Sequence, residues 1–288
     1  MIAAVVLHPD QSAEIVEQFR TAGIELQIKN NLEDAANCSA ALIFGGDGTI
    51  RRYLRQLSRR HIPTLVVPLG SGNDFAKALG ISSVMHALQA WKQFCAAGKN
   101  VHQIDLGVIK PLAQGSEEEL FFCNAVAIGM DAAANARANC MPAWIKGRGG
   151  YLLAALQSLV TFKAVELDVT AEERKIRGSS FFLAVGNARR YGGGMMITPQ
   201  AAMDDGLLDV CLVSRMNKLK LLCWMPAVFF GGHLRLQGVE YFQSQAVRVE
   251  AGRELEVYAD GDFACKTPVE IRVLSRALPV IVPASISL

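Results

Sequence analysis

Along the first third of the chain, short apolar runs alternate with segments whose apolar positions recur every three or four residues. The runs Ile2 to Leu7, Ile24 to Ile28, Ala40 to Phe44 and Thr64 to Val67 are predicted strands. Between the first two, Ala13 to Ala22 places Ile15, Val16 and Phe19 on one face and stops at Gly23, a residue suited to the position just past a helix. Farther on, Ile50, Tyr53, Leu54 and Leu57 stand at i, i+3, i+4 and i+7, which predicts an amphipathic helix over Thr49 to Arg59. Its other face carries Arg51, Arg55 and Arg59 and reads as solvated. Strand and helix alternating in this way predict a doubly wound α/β unit around a parallel sheet.

After about Asp105 the pattern becomes strand upon strand: Ile104 to Ile109, Leu120 to Ile128, Val165 to Thr170, Phe181 to Val185, Leu207 to Val213, Ala246 to Glu250, Leu255 to Ala259 and Val269 to Leu274. Strands without intervening helices predict an antiparallel sandwich or barrel. One helix, Gly150 to Phe162, interrupts the series; it is apolar nearly all round and so expected to be buried or to lie against something greasy. The hydrophilic stretch Gln114 to Glu119 reads as a hairpin turn. The expected division is an α/β domain over 1–105, to which 278–288 returns, and a β domain over 106–277.

Composition narrows the class. A chain of 288 residues, 51% hydrophobic and 19% charged, has material for one large core or two medium ones. A formal net charge of +2 is too small for nucleic-acid binding, which needs many clustered cations. The opening MIAAVVLHPD lacks the basic start and long apolar stretch of a secretory signal, so a cytoplasmic protein is expected. The apolar run Leu219 to Gly232 is shorter than the roughly 20 residues a membrane span requires. Seven scattered cysteines read as reduced core thiols, and five histidines without metal-ligand spacing read as surface or satisfied core residues.

Two stretches carry chemistry. In Ala41 to Thr49 a buried strand runs into Gly45-Gly46-Asp47-Gly48-Thr49 and then into a helix. Glycines there let backbone approach a phosphate, and the free amides at the helix start supply an anion site; the same glycines also suit a plain tight turn. In Pro68 to Ala76 a second strand meets Gly70-Ser71-Gly72-Asn73-Asp74, with Asn73 or Asp74 placed to cap a short helix. Two such loops after neighbouring strands mark the usual ligand site of an open α/β sheet.

The order of these motifs, G-G-D-G-T followed some twenty residues later by P-L-G-S-G-N-D-F-A, resembles the ATP-binding core of the diacylglycerol kinase and sphingosine kinase superfamily, particularly its small bacterial soluble members. Weaker matches extend over nearly the whole chain: Ile104 to Gly107, Phe122 to Ala125 with Gly129, Val185 to Asn187, Tyr191 to Gly194, Asp204 to Val210 and Asp260 to Asp262. The resemblance implies a nucleotide-binding domain similar to those of NAD kinases and phosphofructokinases, and a C-terminal β-sandwich that receives lipid. It further implies ATP held by Gly45, Gly46, Asp47, Gly48 and Thr49, with Ser71, Gly72 and Asn73 from the second loop. Arg51 and Arg52 stand where relatives often have Asn and Glu.

The resemblance also implies a Mg²⁺ site away from the phosphates, formed by the Asp205 carboxylate and the carbonyls of Ala202 and Leu207, hard oxygen donors suited to such ions. Read without it, Asp204-Asp205-Gly206 is an Asx-type turn. In Asp260-Gly261-Asp262 the family's usual D-G-E becomes D-G-D, so Asp262 takes the place of the general base, one methylene shorter. The same residues also suit a hairpin turn between the runs Leu255 to Ala259 and Val269 to Leu274. The expected activity is transfer of the ATP γ-phosphoryl group to a lipid hydroxyl, with Asp47 orienting Mg²⁺ through water and the lipid presented at the inner membrane surface. Trp144, Ile145, Lys146 and Arg148 are candidates to dip into headgroups. A homodimer is compatible with the sequence, which leaves oligomeric state open. The alternatives are an NAD kinase-like small-molecule kinase and a non-catalytic nucleotide- or lipid-binding relative.

Overall fold

In the computed structural model, residues 2–7, 13–20, 24–35, 37–113, 118–142 and 148–284 are described. The chain forms two units, one of Met1–Asp105 with Ser275–Leu288 and the other of Leu106–Leu274. The strands that carry it between them are β5 (Val101–Pro111) and β15 (Val269–Ile281).

The first unit is built from β1 (Ile2–Leu7), α1 (Ala13–Gln18), β2 (Ile24–Lys29), β3 (Cys38–Gly45), α2 (Asp47–Arg60), β4 (Thr64–Pro68), α3 (Asp74–Ala78), α4 (Val84–Ala97) and the start of β5. Its sheet runs β2-β1-β3-β4, closed by the end of β15 beside β4, with every pairing parallel. The middle strands are near-continuous apolar runs because helices cover both faces of such sheets: β4 is buried throughout and β3 from Ala40 to Phe44. Helix α2 buries Ile50, Tyr53, Leu54 and Leu57, the predicted stripe, and ends where His61 turns left-handed (φ 51°) and donates its N–H to the Leu57 carbonyl. It begins two residues before the predicted Thr49, because Gly46 already stands in the cap position. Helix α4 lies where no helix is predicted above. Ser83 caps it by accepting the His86 N–H, and Trp91 is fully buried with its indole N–H on the Phe19 carbonyl at 2.8 Å. Truncating such a side chain typically costs about 3–5 kcal/mol.

The second unit contains β6 (Leu120–Phe122), β7 (Ala125–Gly129), α5 (Met130–Asn139), α6 (Arg148–Thr161), β8 (Val165–Ala171), β9 (Arg174–Gly186), β10 (Leu208–Ser214), α7 (Lys218–Val228), β11 (Val239–Ser244), β12 (Ala246–Ala251), β13 (Glu256–Ala259), β14 (Asp262–Lys266) and the larger part of β15. All registered pairings here are antiparallel. Strand β9 is long enough to serve two neighbourhoods: its first half pairs with β8, its second half lies between β7 and β10.

Period-two alternation divides these strands between two cores. Val126, Ile128, Leu183, Val185, Val210 and Leu212 face the sandwich interior with Val247, Val249, Val257 and Ile271. Their neighbours Ala125, Phe182, Ala184, Cys211 and Val213 point the other way, against α5, α6 and α7.

Three expectations change. The predicted strand Leu120 to Ile128 is two strands, broken at Cys123 and Asn124, whose amides are taken by the Asp260 carboxylate instead of a ladder partner. Among the described residues three α-helices, not one, interrupt the series. Helix α6 is not buried all round: Tyr151, Ala154, Ala155, Ser158 and Leu159 face inward while Leu152, Leu153 and Val160 are exposed. The Gln114 to Glu119 turn falls mainly on residues 114–117, outside those described, as do Trp144, Ile145 and Lys146. Among the described residues no helix is long and apolar enough to cross a membrane.

Candidate active site

The two glycine loops of the first unit touch. A Cβ placed on Gly70 would stand 2.6 Å from Gly46 Cα and 2.9 Å from Asn73 Oδ1, distances that only hydrogen at those positions permits. Glycine is required here by close approach of two backbones, since neither residue has a positive φ. Asn73 does have one (φ 54°), and its amide clamps its own loop: Oδ1 accepts the Gly70 N–H at 2.8 Å and Nδ2 donates to the Gly70 carbonyl at 2.6 Å.

Asp47 fastens one loop to the other. Its carboxylate accepts the main-chain N–H of Asp74 at 3.0 Å and of Phe75 at 2.9 Å, the first amides of α3. The expected cap from Asn73 or Asp74 is therefore corrected. The cap comes from Asp47, a long-range partner no local spacing rule would find, and Asn73 is occupied with Gly70. The start of α2 is left differently. Gly46 brings no side chain to cap it, the Thr49 and Ile50 amides donate to the Gly46 carbonyl at 3.0 and 3.1 Å, and a helix start without a side-chain cap suits an anion. Ser71 is exposed and Gly72 half-buried in the second loop, where Lys77 donates its ammonium to the Gly72 carbonyl.

In the second unit, Asp260 and Gly261 (φ 50° and 89°) make a two-residue turn joining β13 to β14, with Ala259 opposite Asp262. The hairpin partner is β14 rather than the predicted Val269 to Leu274. The Asp260 carboxylate accepts three consecutive amides, Cys123 and Asn124 at 2.8 Å and Ala125 at 3.1 Å. Asn139, at the end of α5, donates to the Gly261 carbonyl at 2.8 Å. Asp262 stands at the head of β14 with its side chain exposed.

At the turn before β10, Asp205 Oδ1 accepts the Leu207 N–H at 3.0 Å, an Asx turn. Gln243 bridges Asp205 and Asp209 at 3.3 Å each, and the Tyr241 hydroxyl donates to Asp209 at 2.5 Å. Burial raises the Asp209 carboxyl above the ordinary carboxylate range. Asp205 itself is exposed, and its carboxylate and the main-chain carbonyls of Ala202 and Leu207 are oxygen donors of the kind Mg²⁺ takes, the set the resemblance implies. Among the described residues no group of three His, Cys, Asp or Glu gathers at one point.

Family models match both units: residues 6–109 match the diacylglycerol kinase catalytic domain, and residues 124–282 match the YegS C-terminal NAD kinase beta sandwich-like domain. A diacylglycerol kinase of Mycobacterium tuberculosis is 33% identical over 256 residues, covering 86% of this chain and 78% of that protein.

This chain belongs to the diacylglycerol kinase catalytic-domain family.

Solved structures share the fold of this diacylglycerol kinase family member at low identity. A diacylglycerol kinase from Bacillus anthracis superposes with a TM-score of 0.72 at 17% identity, over 99% of this chain and 98% of the other. An NAD kinase from Archaeoglobus fulgidus in complex with ATP superposes with a TM-score of 0.52 at 16% identity, over 97% and 92%.

What sequence reasoning missed in this kinase family member lies behind the sandwich. Asp131, at the start of α5, is almost fully buried and accepts hydrogen bonds from the Tyr151 hydroxyl and, at 2.7 Å, from that of Tyr191. Burial raises its carboxyl despite those bonds and pushes the Tyr191 phenol well up. Beside this node a small apolar cavity of about 60 Å³ lies among α6, α7, β9 and β10. An open groove passes over Tyr151, Arg190, Gly192–Gly194 and Phe230 and shares Met195 and Met225 with the cavity. A lone Asp in an alanine-rich stretch gave no sign of either.

Proposed function

We propose that the protein transfers the γ-phosphoryl group of ATP to a hydroxyl of a lipid, diacylglycerol or a close relative. The observation that carries this reading is the mutual packing of the two glycine loops, fastened by Asp47 around a helix start without a side-chain cap.

ATP phosphates lie against the amides of Gly45 to Thr49, with Ser71, Gly72 and Asn73 completing the loop pair. Arg51, at the open end of α2, adds a cation beside that anion site. Asp47 holds the loops in register and directs its remaining lone pairs to the metal through water. Mg²⁺, when bound, would supply neutralisation of phosphate charge; Asp205 with the carbonyls of Ala202 and Leu207 would hold a second ion. Asp262 takes the proton from the lipid hydroxyl as the oxygen attacks phosphorus and the ADP oxygen leaves. Its side chain is exposed at the head of β14, and the I′-type turn ahead of it sets how far the shorter side chain reaches.

The lipid is met at a membrane surface. Leu152, Leu153 and Val160 of α6 and Leu219 and Leu222 of α7 are exposed together with Phe230, and Lys218 and Lys220 stand on the same helix as the latter pair. Apolar side chains flanked by lysines suit the headgroup boundary of an anionic bilayer. Chains from that surface enter the groove over Gly192–Gly194.

The test is direct. Purified protein with labelled ATP, Mg²⁺ and a total lipid extract is expected to yield a labelled lipid whose mass names the acceptor, while NAD in the same mixture stays unlabelled. Absence of any labelled lipid, together with ATP binding that Asp47→Ala leaves unchanged, overturns the reading.

A further inference from the structure

The open groove over Tyr151 and Gly192–Gly194 has a volume of about 900 Å³, within the usual range of ligand sites. Its floor is bare backbone: Gly192, Gly193 and Gly194 all have positive φ (60°, 84° and 97°), and a Cβ on Gly192 would press on the Tyr151 ring at 3.0 Å. Its walls are apolar, with Leu152 and Leu156 from α6, Leu222 and Met225 from α7, and the exposed Phe230 beyond them. One charge stands among these side chains. Arg190, just ahead of the glycine loop, lines the groove, is exposed, and has no hydrogen bond or ion pair among the described residues. Its neighbour Arg189 is held, its Nε donating to the Ala201 carbonyl at 3.0 Å, and the Tyr151 hydroxyl is spent on Asp131. On an open surface water would satisfy the Arg190 guanidinium. Acyl chains lying in the groove displace part of that water, and a cation desolvated without a partner is costly.

We propose that the groove selects a glycerolipid that already carries a phosphate over neutral diacylglycerol, with Arg190 holding that phosphate. The inference rests on the lipid-kinase reading and narrows its acceptor. Apolar walls grip the chains of either lipid alike, so discrimination falls to the one charged group. A neutral head offers the guanidinium only ester and hydroxyl oxygens. A phosphate offers it paired, charge-assisted bonds of matching geometry. The lipid's free hydroxyl remains the acceptor: its oxygen bonds the γ-phosphorus as the bond to ADP breaks, and its proton passes to Asp262. Arg190 is thus a specificity-determining residue, and binding alone tests it.

The probes are 1-octanoyl-glycerol, its 3-phosphate and glycerol 3-phosphate, titrated by calorimetry into the intact protein without nucleotide; the short chains keep the lipids monomeric. The acylated phosphate is expected to bind about 10-fold more tightly than the neutral lipid, the effect of a charge-assisted pair at a partly solvated site. Glycerol 3-phosphate, which has no chain for the groove, is expected to show no binding. Arg190→Gln is expected to erase the preference and leave the affinity of the neutral lipid as it was. Arg253→Gln, which removes the same charge from the exposed turn between β12 and β13, is expected to keep the preference. Leu222→Glu sets a carboxylate in the groove and is expected to weaken both lipids, the phosphate more, which keeps the inference testable should Arg190→Gln fail to fold. Equal affinities in the unaltered protein, a preference that survives Arg190→Gln or is lost as fully in Arg253→Gln, or glycerol 3-phosphate binding as tightly as its acylated form overturns the inference. A protein that phosphorylates diacylglycerol as readily as phosphate-bearing glycerolipids refutes Arg190 selectivity alone. One that discriminates the probes but transfers no phosphoryl group to any lipid refutes the kinase reading alone.

Discussion

Asp47 in the first unit and Asp260 in the second perform the same physical task on unrelated backbones. Each has a glycine beside it, Asp47 at the first position of α2 and Asp260 in a turn, and each turns its carboxylate onto consecutive main-chain amides far away in sequence, 27 and 28 residues for Asp47, 135 to 137 for Asp260. They differ in number, two amides against three, and in what stands beside them. Next to Asp47 the α2 start is open for an anion; two residues after Asp260 comes an exposed carboxylate, Asp262. In a motif with two acidic residues, one fastens backbone, and the exposed one is the residue proposed to take the proton.

The sharpest break between the two roles is Asp262→Ala. Because the side chain is exposed, unfolding in urea should shift by no more than about 0.5 kcal/mol, while phosphoryl transfer should fall by about 10²–10⁴-fold, the usual contribution of a general base. A variant that loses stability but keeps activity would invert the assignment. Next in size is Asp260→Ala, which strands three amides. At about 1–3 kcal/mol for each stranded group, with part recovered by water, a loss near 4 kcal/mol is expected in the same measurement. Asp47→Ala strands two and should cost about 2–3 kcal/mol, with weakened ATP binding by calorimetry as the loops separate. If Asp47→Ala proves the more destabilising of the two, counting amides is the wrong account.

This difference also explains what could be read from the chain. The α/β unit was legible because its signals are local: the Ile50, Tyr53, Leu54, Leu57 stripe and the runs Ile2 to Leu7 and Thr64 to Val67 each report their own surroundings. The glycine loops were legible as phosphate-binding candidates for the same reason. The cap on α3 was not, since Asp47 precedes Phe75 by 28 residues and only the folded sheet brings them together. The break between β6 and β7 was hidden likewise, because Cys123 and Asn124 belong to an apolar run and the group that interrupts them lies 136 or 137 residues later. Helices α5 and α7 went unread because alanine-rich or evenly apolar segments carry no stripe; Met130 to Asn139 buries Ala132, Ala134, Asp131 and Asn135 alike.

Asp131 provides the finest distinction, a buried carboxylate fastened by side-chain hydroxyls instead of amides. Amide donors hold a negative charge without asking for a proton. Tyr151 and Tyr191 pull the Asp131 carboxyl down, but burial, the larger effect, raises it. Its folded value therefore lies above the value of about 3.9 expected in the unfolded chain. A group raised in this sense contributes stability that is full below about pH 4 and is lost as pH climbs through the folded value, because the unfolded chain gives up the proton first. Asp131→Asn removes the titration while keeping an oxygen for one tyrosine. The stability of the unaltered protein minus that of Asp131→Asn, from urea midpoints at pH 4 to 7, should therefore decline steadily as pH rises. Asp209, raised in the same direction, is present in both proteins and cancels. Parallel curves over that range would mean that Asp131 does not titrate there, and the contrast between fastening by hydroxyls and by amides would disappear.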